Sequence, residues 1–342
     1  MLETVQDEQT TLEAARAGDE GAFARLVDPH RRALRAHCYR FSGSLHDAED
    51  LLQESLLRAW RGLGSFEGRS GLATWLFKVT TRVCLDAVDK RPERLLPSDL
   101  GPPVPGSKPP APPRLDPIWI EPCPDSLLDE RTPSPEAPLL ARESVALAFL
   151  VALQLLPPKQ RAVLLLHDVL GWSAVECGES LDLSAAAVNS ALQRARETIN
   201  NRAPARDEAS PAIDDPATAA LLSRYVKAWE STDVPALVAL LREDATLVMP
   251  PLPDWIRGAA EIGAALANMV LVPGSAGRYR LVPTRANGLP ALATYRRDDA
   301  RGAHRATSIQ LFEIRDGRIA TITAFLDGSL FPLFGLPDVS TD

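Results

Sequence analysis

The sequence predicts a multidomain chain, two all-α segments followed by a mixed α+β domain. Three observations carry this. Apolar residues recur at helical spacing over 12–92 and again over 139–202, with few β-branched runs. Two breaks interrupt the chain, a proline-rich stretch over 93–138 and a stretch of Pro, Asp, Glu and Ser over 203–216. Beyond the second break, over 217–336, helical patterns near 217–230 and 259–269 give way to strand-like runs, with Asn287-Gly288 and Asp316-Gly317 as hairpin turn signals. The 342 residues suffice for two or three domains, and a hydrophobic content of 45% suffices for their cores.

The first segment holds the most informative helix, 47–60. Ala48, Leu51, Leu52, Ser55, Leu56 and Ala59 form its core-facing arc, while Asp47, Asp50 and Glu54 lie on a separate stripe. Arg58 and Arg61 fall on the same side as the carboxylates, so the patch is mixed. In an isolated helix such a stripe reads as a solvated face that favours the positive end of the helix dipole. The next helix, from Thr74 to Asp86, turns Leu76, Val79, Thr80, Val83 and Ala87 to a core and leaves Trp75, Lys78 and Arg82 opposite. An aromatic ring interleaved with cations suits single-stranded DNA, the ring for stacking and the charge for phosphates. The bland alternatives are an Arg82–Asp86 pair at i+4 and a half-buried Trp75.

The first break holds 14 of the 30 prolines between 97 and 138, which excludes a helix or a central strand and predicts an extended, partly polyproline linker. Its Ile118-Trp119-Ile120 patch is too apolar for an idle spacer and is expected to dock. The second segment carries a helix from Ser173, a short turn at Leu181-Asp182-Leu183-Ser184, and a second helix to Thr198, the spacing of a helix-turn-helix. In that second helix Val188, Ala191, Leu192, Ala195 and Ile199 face inward. Ala186, Asn189, Ser190, Gln193 and Arg194 are left outward, small and amide residues that permit close approach to base edges. Arg194 and Arg196 reach base or phosphate, and Ser184 is an N-cap that can also touch DNA.

The net charge of -8 argues against a free-standing, strongly DNA-binding protein, because phosphate neutralisation needs clustered cations. Such a chain must concentrate its basic residues locally or borrow affinity from a larger partner. Cys38, Cys84, Cys123 and Cys177 form no CxxC pair, and with His30, His37 and His46 they match no ligand spacing. No metal, cofactor or disulfide framework is expected. No apolar run is long enough for a membrane span, and the acidic, polar N-terminus lacks a signal-peptide core, so a cytoplasmic location is expected.

These motifs, in this order, resemble the sigma-70 family of bacterial RNA polymerase sigma factors, extracytoplasmic-function (ECF) subfamily. DAEDLLQESLLRAW (47–60) looks like the region 2.2 helix that docks on core polymerase. FEGRSGLATWLFKVTTRVCLD (66–86) looks like regions 2.3 and 2.4, which melt and read the minus-ten element. LPPKQRAVLLLHDVLGWSAVECGESLDLSAAAVNSALQRAR (156–196) looks like region 4, which reads the minus-thirty-five element. The resemblance implies core polymerase and promoter DNA as partners and leaves an anti-sigma partner unspecified. It implies polymerase contacts from Asp47, Asp50, Leu51, Gln53 and Glu54. It implies DNA contacts from Arg69, Thr74, Trp75, Lys78, Thr81 and Arg82, and from Ser184, Ala186, Asn189, Ser190, Gln193, Arg194 and Arg196. Arg82 stands where the family commonly has Asn, so no base preference carries over. Cys177 and Gly178 replace larger or more helix-favouring residues, and Gly178 suggests a close-packing site. Holoenzyme-derived affinity also makes an acidic chain permissible.

The third segment resembles the SnoaL-like, nuclear-transport-factor-like cone, a curved sheet wrapped by helices around a pocket. The helix-first order, Tyr225 to Pro250, and the paired runs around Asp316-Gly317 carry that resemblance. Its apolar tail, 325–337, is expected to pack on the cone or on another domain. Trp255, Tyr279, Tyr295 and His304 are the expected pocket residues, with Asp254 and Asp327 as further polar candidates. None matches a catalytic motif, so no enzymatic activity is expected. Three readings compete: a sigma factor tuned by its fused domain, a polymerase-independent helix-turn-helix regulator, and a ligand-sensing or enzymatic cone.

Overall fold

A computed structural model of the protein describes residues 2–68, 70–88, 93–114, 116, 118–128, 146–202 and 215–340. Two compact units result, one from residues 1–93 and 126–204, the other from 94–125 and 205–342.

The first unit is helical. Helices α1 (Leu2–Arg16), α2 (Glu20–Ser42), α3 (Leu45–Gly62) and α4 (Leu72–Val88) pack as a bundle, and α1 starts well ahead of the expected boundary at residue 12. Local chemistry fixes the ends. Asp19 and Ser44 cap α2 and α3 through their side-chain oxygens, and Gly43 ends α2 with φ 68°. The buried arc of α3 is Leu45, Ala48, Leu51, Leu52, Ser55, Leu56 and Ala59. Helices α5 (Leu147–Gln154) and α6 (Pro158–Leu164) lead through a π-turn at Leu165–Val169 to α7 (Ala174–Leu181) and α8 (Ala185–Arg202).

Within this unit α5 packs on α2 and α6 on α4. Arg161 is buried at the junction. Its guanidinium donates to Phe41 O at the end of α2, to Gln154 Oε1 at 3.0 Å and to Gln154 O at 2.8 Å. Burial pulls its pKa down to about 10, against the raising effect of Glu93, which leaves it charged at neutral pH.

The second unit is α+β. Helices α9 (Pro216–Glu230), α10 (Val234–Leu240) and α11 (Ala259–Met269) cover one face of a seven-stranded sheet. The strands are β1 (Leu241–Val248), β2 (Trp255–Arg257), β3 (Tyr279–Ala286), β4 (Leu289–Asp298), β5 (Ala303–Arg315), β6 (Arg318–Phe325) and β7 (Val339–Ser340). Their order is β2-β1-β6-β5-β4-β3, with β7 on β5, and among these described strands only β1 and β6 run parallel. Both predicted hairpin turns form, with Asn287, Gly288, Asp316 and Gly317 all at positive φ and two-residue loops closing Ala286↔Leu289 and Arg315↔Arg318. Register shifts at Thr294/Tyr295 and Glu313/Ile314 introduce the bulges by which a sheet bends. The apolar tail packs on this sheet, with Phe331 edge-on to Tyr295 at 4.9 Å.

The proline-rich break is no idle spacer. Residues 94–125 form a strap that belongs to the second unit. The strap folds back on itself, with Leu95 N donating to Ile118 O and Ile120 N to Leu95 O, and Ile120 is fully buried. It seats on the cone through Val104 N to Trp255 O, Gly106 N to Glu261 Oε2, Arg114 N to Pro251 O and Cys123 N to Asn287 Oδ1. A Cβ at Gly106 would stand 1.8 Å from Glu261 O, so only glycine allows that approach. The remainder of the expected linkers, 129–138 and 203–214, lies outside the described residues.

Candidate functional site

On α3, Asp50 and Gln53 are exposed and Asp47 and Glu54 half-buried. Leu51 is buried in the bundle, so it supports this surface from beneath and does not form part of it. The sequence reading missed Leu57, which is 42% exposed and lies on the same stripe as Asp50, Gln53 and Glu54. A wheel that marked apolar residues off the core arc would have found it. Arg58 donates to Glu54 at 2.7 Å and to Asp86 at 2.7 Å, which raises its pKa through those two hydrogen bonds. The patch therefore has an apolar centre, open carboxylate and amide groups on one side and a neutralised trio on the other.

On α4 the buried residues are Leu72, Leu76, Phe77, Thr80, Thr81, Val83 and Cys84, with Val79 and Ala87 only half-buried. The arc is rotated from the expected one because α4 contacts α2, α3 and α6 together. Thr81 is accordingly no surface residue. Its hydroxyl is fully buried, donates to Phe77 O at 2.8 Å and meets His37 Nε2 at 2.9 Å. Thr74, Trp75 and Lys78 are half-buried, and Trp75 packs beside Phe66 with ring centres 5.2 Å apart. Arg82 is exposed and pairs with Asp182 at 3.4 Å, while Asp86, its expected i+4 partner, is held by Arg58. Arg69 lies outside the described residues.

In the helix-turn-helix, α7 opens with a capping box between Ser173 and Glu176 and ends at Asp182 with φ 56°. A Cβ at Gly178 would stand 2.5 Å from Leu183 O, so the turn closes against a bare backbone, as its sequence position suggested. Ser184 caps α8 by accepting from Ala187 N at 3.2 Å and remains exposed. The buried residues of α8 are Val188, Ala191, Leu192, Ala195 and Ile199. Ala186, Asn189, Ser190, Gln193 and Arg194 are all exposed on one stripe. Arg196 departs from expectation. Its guanidinium is held by Asp168, Nε to Oδ2 at 2.9 Å with a second bond to Oδ1. Burial alone would raise the Asp168 carboxyl, but the bonds from Arg196 and His167 outweigh it and hold it low. Arg196 thus clamps α8 to the π-turn, and Arg194 is the outward cation.

In the cone, a cavity of about 200 Å³ lies between the helices and the sheet, lined among others by Tyr225, Trp229, Met249, Leu266, Tyr279, Thr294 and Gln310. Of the expected pocket residues only Tyr279 lines it. Tyr295 projects from the other side of β4, next to Thr294 in sequence, and donates to Pro337 O at 3.0 Å. His304 is the second residue of β5 and stands opposite Ser340 of β7. Trp255 and Asp254 hold the strap instead, Trp255 Nε1 donating to Gly101 O at 2.7 Å and Asp254 accepting from Ala111 N at 3.1 Å and Lys108 Nζ at 3.3 Å. Asp327 caps the last 3-10 helix by accepting from Ser329 N. Among the described residues the lining includes no Asp, Glu, His or Cys. Among the described residues no group of three metal-ligating side chains converges, and no helix is long and apolar enough to cross a membrane.

Residues 26–93 match the family Sigma-70 region 2, residues 146–199 match Sigma-70, region 4, and residues 222–322 match the SnoaL-like domain. The chain is 43% identical over 318 residues to the ECF RNA polymerase sigma factor SigG of Mycobacterium tuberculosis, covering 93% of this chain and 85% of that one. It is 27% identical over 308 residues to SigJ of the same species, covering 85% and 88%. The crystal structure of M. tuberculosis SigJ shares the fold, with a TM-score of 0.57 at 22% identity over 90% of this chain and 97% of that one.

Proposed function

The chain belongs to the ECF sigma factors of bacterial RNA polymerase, and from that membership we propose that it docks on core polymerase through α3 and reads promoter DNA through α4 and α8. The observation that carries this reading is the unbroken outward stripe of α8, Ala186, Asn189, Ser190, Gln193 and Arg194, backed by a fully apolar inner face. Small and amide side chains at i, i+3, i+4, i+7 and i+8 suit the major groove, and the stripe carries the minus-thirty-five contacts. Thr74, Trp75, Lys78 and Arg82 carry the minus-ten contacts. Asp50, Gln53, Glu54 and Leu57 form the polymerase patch, Leu57 as its apolar anchor. Residues 12–92 and 139–202 are then the two working modules, and 217–336 the modulating one.

Control by the fused cone rests on the strap. The segment that joins the two sigma modules is held on the cone by backbone hydrogen bonds and by the Lys108–Asp254 pair. A held tether restrains the separation of the modules it joins, so the cone acts as a brake. Run-off transcription with core polymerase tests both parts, comparing the full chain, a chain lacking 205–342, and Gly106→Ala, whose Cβ unseats the strap. Both altered chains are expected to initiate more than the full chain at equal concentration. Absence of a promoter-dependent transcript from all three would sink the sigma reading. Equal activity from all three would sink the brake.

The cone acts by binding. Its cavity lining offers hydroxyl, amide, indole and guanidinium groups without a carboxylate or imidazole, which suits recognition and supplies no general base.

A further inference from the structure

The cavity in the cone contains a polar arrangement that its own fold does not use up. Trp229 lines the cavity and is 6% exposed, yet its indole N–H is buried with no hydrogen-bond partner among the described residues. Its neighbours are satisfied. Tyr225 Oη donates to Gln310 Oε1 at 2.8 Å, and Gln310 Nε2 donates to Thr294 Oγ1 at 2.8 Å. This chain crosses from α9 to β5 and β4 and orients the wall beside Trp229. Burying a donor without an acceptor costs on the order of 1–3 kcal/mol, and native folds rarely leave one so.

The rest of the lining is mainly apolar, with Leu247, Met249, Leu266, Met269 and Ile322, and it adds the hydroxyls of Thr307 and Ser308 and the guanidinium of Arg296. Arg296 and Leu326 are the exposed members of the lining and mark its mouth. The volume, about 200 Å³, suits a ligand of one ring, since a dry cavity of about 150 Å³ takes up benzene. With no carboxylate in the wall, nothing recommends a cationic ligand.

We propose that the cone is a receptor for a small, uncharged, single-ring molecule bearing a carbonyl acceptor, with that oxygen accepting from Trp229 Nε1. A neutral carbonyl on a ring matches both features of the wall at once, its apolar surface and the indole donor of Trp229. The Tyr225–Gln310–Thr294 chain is a positioning device that keeps the wall rigid. The proposal deepens the brake reading by naming what would address it, and its test involves no transcription, so the two stand or fall separately.

The test is ligand-observed fluorine NMR on the full chain with two shape-matched probes, 4-fluoroacetophenone and 4-fluorocumene, which differ in the acceptor. The ketone is expected to bind saturably and about five- to tenfold tighter than the hydrocarbon, the worth of one hydrogen bond to a buried donor. Trp229→Phe should bring the two probes to parity while retaining apolar binding, and Leu266→Trp should abolish both. In the ¹⁵N-labelled wild-type chain the indole resonance missing from the Trp229→Phe spectrum should shift with the ketone alone, a readout independent of whether the filling variant folds. Equal affinities in the wild type, no binding of either probe, or a preference that survives Trp229→Phe would each overturn the proposal.

Discussion

At the scale of single residues, the unusual groups are buried polar ones with defined partners. His37 is the clearest. It is fully buried between α2 and α4, its ring edge-on to Phe41 and Phe77 and its Nε2 bonded to Thr81. Burial first, and Arg40 second, pull its pKa from 6.5 down to about 3. The unfolded chain therefore takes up a proton below pH ~6.5 that the folded chain refuses until about pH 3. Stability falls as pH drops through that window and is restored above it. Between pH 7 and pH 5 this one group should remove about 2 kcal/mol, and His37→Gln, which retains a donor for Thr81, should remove that part of the pH dependence in urea unfolding. Gly178 is a steric constraint of a different kind. Gly178→Ala pushes a methyl into Leu183 O, and a loss of roughly 1–3 kcal/mol is expected, with the thermal midpoint of the helical unit as its measure.

At the scale of elements, the amphipathic faces decide what can bind. Asp50 and Leu57 are exposed and lie outside the core arc of α3, so Asp50→Arg with Leu57→Asp should leave helicity and thermal midpoint near wild type. On the docking reading it should weaken core polymerase binding at least about tenfold, a desolvated anchor being worth 2 kcal/mol or more. Unchanged binding in a pull-down titration would remove α3 from the interface. The legibility of the elements follows the same physics. In α8 all five buried residues were readable, because its three neighbours, α5, α6 and α7, all press on one apolar face and leave the opposite stripe exposed. In α4 the period misled at Thr81 and Val79, because three helices press on it and widen and turn the buried arc. In the cone two of the three helices, α9 and α11, and both hairpin turns were readable, since periodicity and turn chemistry are local, whereas the seven-residue α10 is too short to show a period. The cavity residues were not. Tyr295 was lost to strand alternation, and Trp255 and Asp254 to a strap that arrives from a segment distant in sequence.

At the scale of the whole molecule, the helical unit raises a question of reach. Minus-ten and minus-thirty-five elements are separated by about 25 base pairs, hence about 85 Å of B-form DNA. A compact unit of this length spans only roughly 40 Å. The unit is sealed at the buried Arg161, which joins the end of α2 to the α5–α6 corner, and at its rim by Arg82–Asp182. On the proposed reading, the α4 and α8 surfaces cannot both engage promoter DNA in this arrangement, and opening has to break the Arg161 cluster. Breaking it exposes a guanidinium that gains water, so the cost is smaller than that of losing a buried charge outright. Nitroxide labels at two exposed sites of the helical unit, Asp28→Cys and Glu197→Cys, would read the transition by pulsed EPR, the four native thiols being buried. A single short distance is expected for the free chain, and a gain of tens of ångströms with core polymerase. Arg161→Met should populate the long distance without polymerase. Gly106→Ala, by unseating the strap, should raise the long-distance population in the free chain by a smaller amount, and no change would detach the strap from the brake. An unchanged distance in the holoenzyme would mean that the closed packing is itself the working form.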